Sequence, residues 1–177
     1  MNRFKRILAV LIIMVAAPMY SSARPKAISS LWSIYGIGIG YEYMTSDDVF
    51  IQIDLKTETS EMFLNRRFAM EAAASLTWNK IFAETSSAYG TQIRYFAGPG
   101  VTGGLARDMK ADNGIVFGLK GRIGAELLFK RKVAISICLA PVIGMHISAK
   151  DGSANLRLYR NGLLYGVIPE IGLKYSF

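Results

Sequence analysis

Cysteine is almost missing from this chain: Cys138 is the only one in 177 residues. That excludes a disulfide framework and a thiolate-clustered metal site. Histidine is as scarce, with His146 alone, so imidazole ligation of a metal has almost no material and neither metal nor cofactor is expected. Charged residues are few, at 19% against 51% hydrophobic, a balance that excludes a disordered chain. From Leu31 onward no run of eighteen apolar residues occurs, which excludes a helical membrane protein. No metal-ligand spacing or stacked-aromatic nucleic-acid patch stands out. Gly98-Pro99-Gly100 is not followed by a helical pattern, so it is no phosphate loop, and no nucleic acid is expected as partner. What the chain does have is glycine (17), tyrosine (9) and phenylalanine (9), in one domain's length.

The first residues read as an address. Arg3, Lys5 and Arg6 precede an apolar stretch from Ile7 to Ala17, and Ser21-Ser22-Ala23 offers the small residues of a cleavage site. Eleven residues of helix reach roughly 16 Å, about half of a bilayer's hydrocarbon core of about 30 Å. Residues 1–23 are therefore read as a cleaved signal peptide, and no cysteine is there to carry a lipid. Cleavage removes three of 21 basic residues and leaves a net charge of +5 against 13 acids, so part of the basic balance belongs to export. Residues 24–30 are read as a short periplasmic lead-in, and 31–177 as the folded domain.

That domain alternates with a period of two. Ile115, Phe117, Leu119, Ile123, Leu127 and Phe129 are apolar, while Lys120, Arg122, Gly124 and Glu126 lie between them. Ile37, Ile39, Tyr41 and Tyr43 oppose Gly36, Gly38, Gly40 and Glu42 in the same way, and the last residues end Leu173-Lys174-Tyr175-Ser176-Phe177. Successive strand side chains point to opposite faces, so each segment has one greasy and one polar or glycine-rich side. Turn residues divide the pattern into eight strands over 31–44, 49–63, 67–78, 80–87, 91–106, 114–129, 133–147 and 162–177. A helix is the competing reading of 60–75, where Ser60 offers a cap, but Phe68, Met70, Ala72, Ala74, Leu76 and Trp78 keep strict alternation.

An even number of strands brings both chain ends to one side of a membrane, and eight is the smallest number that closes into a membrane barrel. A sheet in lipid can leave no open edge. The interior of an eight-stranded barrel is just wide enough for side chains to fill. The face rich in Ile, Leu, Tyr and Phe is too bulky for that space, and the glycine-rich face fits. The expected fold is an all-β, eight-stranded antiparallel up-and-down transmembrane barrel with its large apolar residues turned outward. Pro99, Pro141 and Pro169 fall inside expected strands on the outward face and are read as local bulges.

With its export signal, its alternation and its terminal aromatic strand, the sequence resembles small outer-membrane β-barrels of the OmpX and OmpA transmembrane-domain kind. Tyr95-Phe96-Ala97-Gly98-Pro99-Gly100 and Gly121-Arg122-Ile123-Gly124-Ala125-Glu126 are similar to barrels of Bacteroidota outer membranes. The resemblance implies a Gram-negative outer-membrane location, contact with membrane lipids and lipopolysaccharide, and a monomer. It also implies recognition of the last strand, through Tyr175 and Phe177, by the barrel-assembly machinery.

By phase, Glu42, Asp54, Glu71, Glu126 and Glu170 point inward, as do Lys56, Arg94, Lys120, Arg122 and Lys174. Charges withdrawn from bulk water must be paired or hydrated, so an interior ion-pair network is expected. It reads as a polar plug, with a narrow ion or small-solute pathway as the alternative. His146-Ile147-Ser148 resembles the His-x-Ser spacing of a lipid A deacylase, but the asparagine that follows in that family is Ala149 here. Residues two apart on a strand share a face, and this face is inward, away from acyl chains. No catalytic residue is therefore assigned, and the enzyme reading stays an alternative. A long connection from Ser148 to Asn161, with Lys150, Asp151, Arg157 and Arg160, is expected outside the cell. Arg66, Arg67 and Lys130 to Lys132 are expected at periplasmic turns.

Overall fold

The computed structural model describes residues 25–58, 71–86, 91–107, 113–129, 132–150 and 153–177. The signal segment, the turn expected at Leu64 to Arg67 and the alternation of Phe68 and Met70 lie outside the described residues. Along the chain come β1 (Lys26–Ser33), β2 (Gly36–Met44), β3 (Val49–Glu58), β4 (Glu71–Ser86), β5 (Thr91–Arg107) and β6 (Asn113–Phe129). Then follow β7 (Val133–Leu139), β8 (Val142–Lys150), β9 (Ser153–Leu158), α1 (Arg160–Gly166) and β10 (Glu170–Ser176).

These elements make eight barrel strands. All the pairings are antiparallel, β1 through β6 pair in chain order, and β10 pairs with both β7 and β1, which closes the sheet on itself. β7 and β8 are halves of the seventh strand. Ile123 of β6 faces Leu139 and Lys120 faces Val142, so the register runs unbroken past Ala140-Pro141. β9, α1 and β10 together form the eighth. Followed from Ala27 through Glu42, Gln52, Thr77, Gly100, Lys120 and Val142, the register returns to the first strand displaced by about ten residues, a stagger that tilts eight strands by roughly 40°. The ends are clasped by backbone bonds from Phe177 N–H to Lys26 O (2.8 Å) and from Lys26 N–H to Phe177 O (3.2 Å).

Several expected boundaries are corrected. Residues 31–44 are not one strand: β1 ends at Ser33 and β2 starts at Gly36, around the two-residue loop Ile34-Tyr35. The Ser33 hydroxyl accepts bonds from the Tyr35 and Gly36 amides, at 3.3 and 3.1 Å. Neither loop position carries the Asn-Gly or Gly that normally marks such a hairpin. Residues 26–30, expected as a lead-in, belong to β1. Conversely, 67–78 and 80–87 are not two strands, because β4 runs through Asn79-Lys80. Asn79 does not turn the chain. It is fully buried in the interior, with its amide nitrogen donating to Thr77 Oγ1 at 2.9 Å.

The prolines behave differently from one another. Pro99 faces Gly121 in the β5–β6 ladder, and the β4–β5 ladder is interrupted at Trp78-Asn79 and Gly98-Pro99 without a change of register. Proline has no N–H to offer there. The register shift lies elsewhere, between Ile81 and Ala83. Pro141 splits the seventh strand, and Pro169 stands just before β10. The expected strand 162–177 begins only at Glu170, since 160–166 is helical. Much of the expected loop from Ser148 to Asn161 is strand, with β8 reaching Lys150 and β9 starting at Ser153.

Candidate functional site

The alternation sorts the side chains into two environments. Outward along every barrel strand stand large apolar residues, among them Trp32, Ile39, Leu55, Trp78, Leu119, Ile137 and Leu173, all exposed. Leu119 is 69% and Trp78 62% exposed, values usual for a surface lysine rather than for a core residue. Phe82, Tyr95, Phe129, Tyr175 and Phe177, also exposed, gather at the end of the barrel where the termini meet. Phe82 and Tyr95 lie 6.4 Å apart as tilted rings.

The interior begins at that same end with a small apolar cluster of Met44, Phe50, Phe96 and Cys138. Above Phe50, Lys174 Nζ donates to both carboxylate oxygens of Glu42 at 3.0 Å and contacts Glu126. Next comes Arg122, whose guanidinium lies 5.2 Å from the Phe96 ring centre and donates to Gln52. The third layer joins Lys120 Nζ to Asp54 Oδ2 (3.1 Å) and Ser75 Oγ (2.7 Å), with Gln52 Nε2 donating to Asp54 Oδ1 at 2.5 Å. Lys56 pairs with Glu170 beside it, and the Cys138 thiol points at the other Glu170 oxygen from 3.6 Å. Glycines make room for these long side chains. A Cβ on Gly40 would come within 2.5 Å of Ser29 Oγ and 2.8 Å of Asp54 Oδ1.

Eight of the ten charged residues expected inside are thus brought together as four cations and four anions. Arg94 is not among them: it sits at the rim of the β4–β5 hairpin, 3.7 Å from Glu84 and partly exposed. Glu71 opens β4, and its side chain lies outside those described. Sequence reasoning passed over Gln52, Ser75 and Thr77, which share the inward phase of Asp54 but carry no charge to draw attention. His146 is fully buried, and its Nε2 donates to the Ala106 carbonyl at 3.0 Å. Ser148 is buried on the same face, and no hydrogen bond joins the two among the described residues. Among the described residues no group of His, Cys, Asp and Glu is placed to hold a metal ion.

The eighth strand departs from the ladder. Between the Met145–Leu158 and Cys138–Glu170 pairs, seven steps along one strand answer to twelve along its neighbour. The five extra residues are taken up by α1 and its flanks. Gly162 and Gly166 let the helix backbone close on the Pro141 break, since a Cβ on Gly166 would meet Pro141 Cα at 2.2 Å. The Ala140 amide bonds Gly166 O, and the Tyr159 amide bonds Gly144 O, both at 2.9 Å. Inside this part of the wall, over the Lys56–Glu170 and Lys120 layer, lies a cavity of about 130 Å³.

No family model and no curated protein matches the chain. Among solved structures it is similar to the N-terminal β-barrel domain of Pseudomonas aeruginosa OprF, with 13% identity, a TM-score of 0.47 and coverage of 86% of this chain and 97% of that one. It is also similar to Ail, the attachment invasion locus protein of Yersinia pestis, solved with the heparin analogue sucrose octasulfate. There the identity is 11%, the TM-score 0.34 and the coverage 87% and 95%. The described strands close into an antiparallel meander of eight, the fold class expected from the sequence.

Proposed function

We propose that the mature protein is an outer-membrane β-barrel of a Gram-negative envelope, exported by its N-terminal signal, with a structural or surface-interaction role. The observation that carries this reading is the orientation of the side chains: the greasy face is outside and the ionised groups are inside. Monomeric soluble proteins rarely expose apolar patches beyond a few hundred Å², whereas a lipid-facing band has this character all round. Residues gathered at the terminal end, Phe82 to Phe177, suit the aromatic girdle at one membrane interface. Tyr175 and Phe177 would carry the assembly signal, and membrane lipid and lipopolysaccharide would cover the barrel.

The interior supports a plug better than a pathway. Three lysines pair with four carboxylates in contact, Arg122 donates to Gln52 among them, and the Met44–Phe50–Phe96 cluster stands below. The lipid A deacylase reading is weakened by the burial of His146 and Ser148 on the inward face. Membrane fractionation with heat-modifiability on a gel tests the assignment. The folded protein should partition with outer membranes and migrate differently before and after boiling. A mature chain that stays monodisperse in buffer without detergent would refute it.

A further inference from the structure

The upper interior is built of short side chains. Where the lower half carries lysine, arginine and glutamate, Ala73, Gly104 and Ala106 line the cavity beneath Tyr159 and Val116. Its volume, about 130 Å³, is close to that of apolar cavities known to hold one benzene ring. The floor is charged. Lys56 is the accessible cation there, its side chain 24% exposed, whereas Lys120 is buried on Asp54. Each of the two lysines has its carboxylate, Glu170 and Asp54, but the Lys56 ammonium has further N–H donors to offer, as Lys174 shows by bridging the two carboxylates of Glu42 and Glu126.

The wall beside the cavity is also its one described non-β element. On the seventh-strand side α1 is tied by backbone bonds, but no ladder joins it to β1 or β2 among the described residues. On that side the Tyr165 ring stacks on Tyr35 of the β1–β2 turn, with centroids 4.0 Å apart and planes at 17°. A ring stack can part at far less cost than a strand ladder.

We propose that the cavity is a binding site for a small anionic amphiphile, a medium-chain carboxylate whose head sits on Lys56 and whose chain runs out between α1 and the β1–β2 turn. An apolar body the size of a ring fills the alanine-lined space, and the part-exposed Lys56 ammonium offers a charge-assisted hydrogen bond that favours an anionic head over a neutral or cationic one. The same carboxylate could come from the bilayer past Tyr35 or from water through the upper rim.

The test uses the mature protein in lipid nanodiscs, with methyl-labelled Val116 and Val142 titrated by octanoate, octanol and octylamine. Octanoate should shift these methyls saturably and bind roughly tenfold more tightly than octanol, as a charge-assisted hydrogen bond allows, with octylamine weakest. Lys56→Met with Glu170→Gln, which keeps the interior neutral, should erase the difference between octanoate and octanol. Ala106→Phe should abolish binding of both. Tyr35→Ala should quicken exchange of bilayer-supplied octanoate; an unchanged rate overturns entry past α1 and leaves the aqueous route. Shifts that never saturate, or that survive Ala106→Phe, overturn the site itself. Heat-modifiability of every variant shows the barrel intact, so loss of the ligand is distinguishable from failure of the membrane reading.

Discussion

Ile28 and Ile39 offer a matched pair for testing which face meets lipid. Both are isoleucines on the outer surface, 55% and 61% exposed, but they stand at different depths. Ile28 lies between Tyr41 and Tyr175 near the terminal end, and Ile39 lies between Ser30 and Leu55 in the middle of β2. In water, exposed positions like these tolerate substitution within about 0.5 kcal/mol, and arginine at either would be neutral or helpful. In a bilayer the cost of arginine on a barrel's outer face depends on depth, about 2–4 kcal/mol at the midplane and roughly 0–1 near the interface. Ile39→Arg should therefore lower the folded-to-unfolded ratio by roughly thirtyfold or more, while Ile28→Arg changes it by less than about fivefold. The assay is reversible urea unfolding of the mature protein in lipid vesicles, comparing midpoints at unchanged slope. Equal small effects of the two substitutions would refute the lipid-facing assignment, since exposure alone would then account for both.

Inside the barrel, Lys120→Met should destabilise by about 3–5 kcal/mol because Asp54, almost fully buried, loses its cation, and adding Asp54→Asn should recover most of that loss in the same unfolding assay. Gly166→Ala should cost about 1–3 kcal/mol, since its new methyl would meet Pro141 Cα at 2.2 Å and push α1 off the wall. In planar bilayers the mature protein should give no stable porin-sized conductance, and steady large openings would contradict a filled interior.

Phase proved far more legible in the sequence than boundaries. Which residues face out and which face in follows from alternation alone, because a strand has no other way to sort its side chains. Asp54, Lys120 and Lys174 were found on that basis. Boundaries failed where a local rule was silent or outweighed. The Ile34-Tyr35 hairpin has no glycine or asparagine and is marked only by Ser33, whose hydroxyl closes the turn. Asn79 looked like a turn residue but serves as a lumen side chain. The two differences offset one another, since the pattern joins β1 to β2 and divides β4 at Asn79, and the count of eight is the same either way. Around α1, Leu163, Tyr165 and Val167 alternate well enough to suggest a strand. The chain coils instead because Gly162 and Gly166 allow a helix to seat against the Pro141 break.

One sheet with two faces leaves little freedom in where charge can go. If the outer face lies against acyl chains, the lumen is the only place within the membrane for ionised side chains, and an eight-stranded lumen is too narrow to hydrate each of them separately. They must then be brought into contact with one another, which is the arrangement of Lys174 with Glu42 and Glu126 and of Lys120 with Asp54. The same narrowness explains the glycines opposite them, because every long side chain that enters needs a short one across from it. Where the inward residues are short on two neighbouring strands at once, as at Ala73 of β4 and Gly104 and Ala106 of β5, nothing is left to fill the centre. The cavity and the packed ion-pair layers are therefore two outcomes of one constraint, and a ligand that occupies the upper half would complete there what lysine and glutamate complete below.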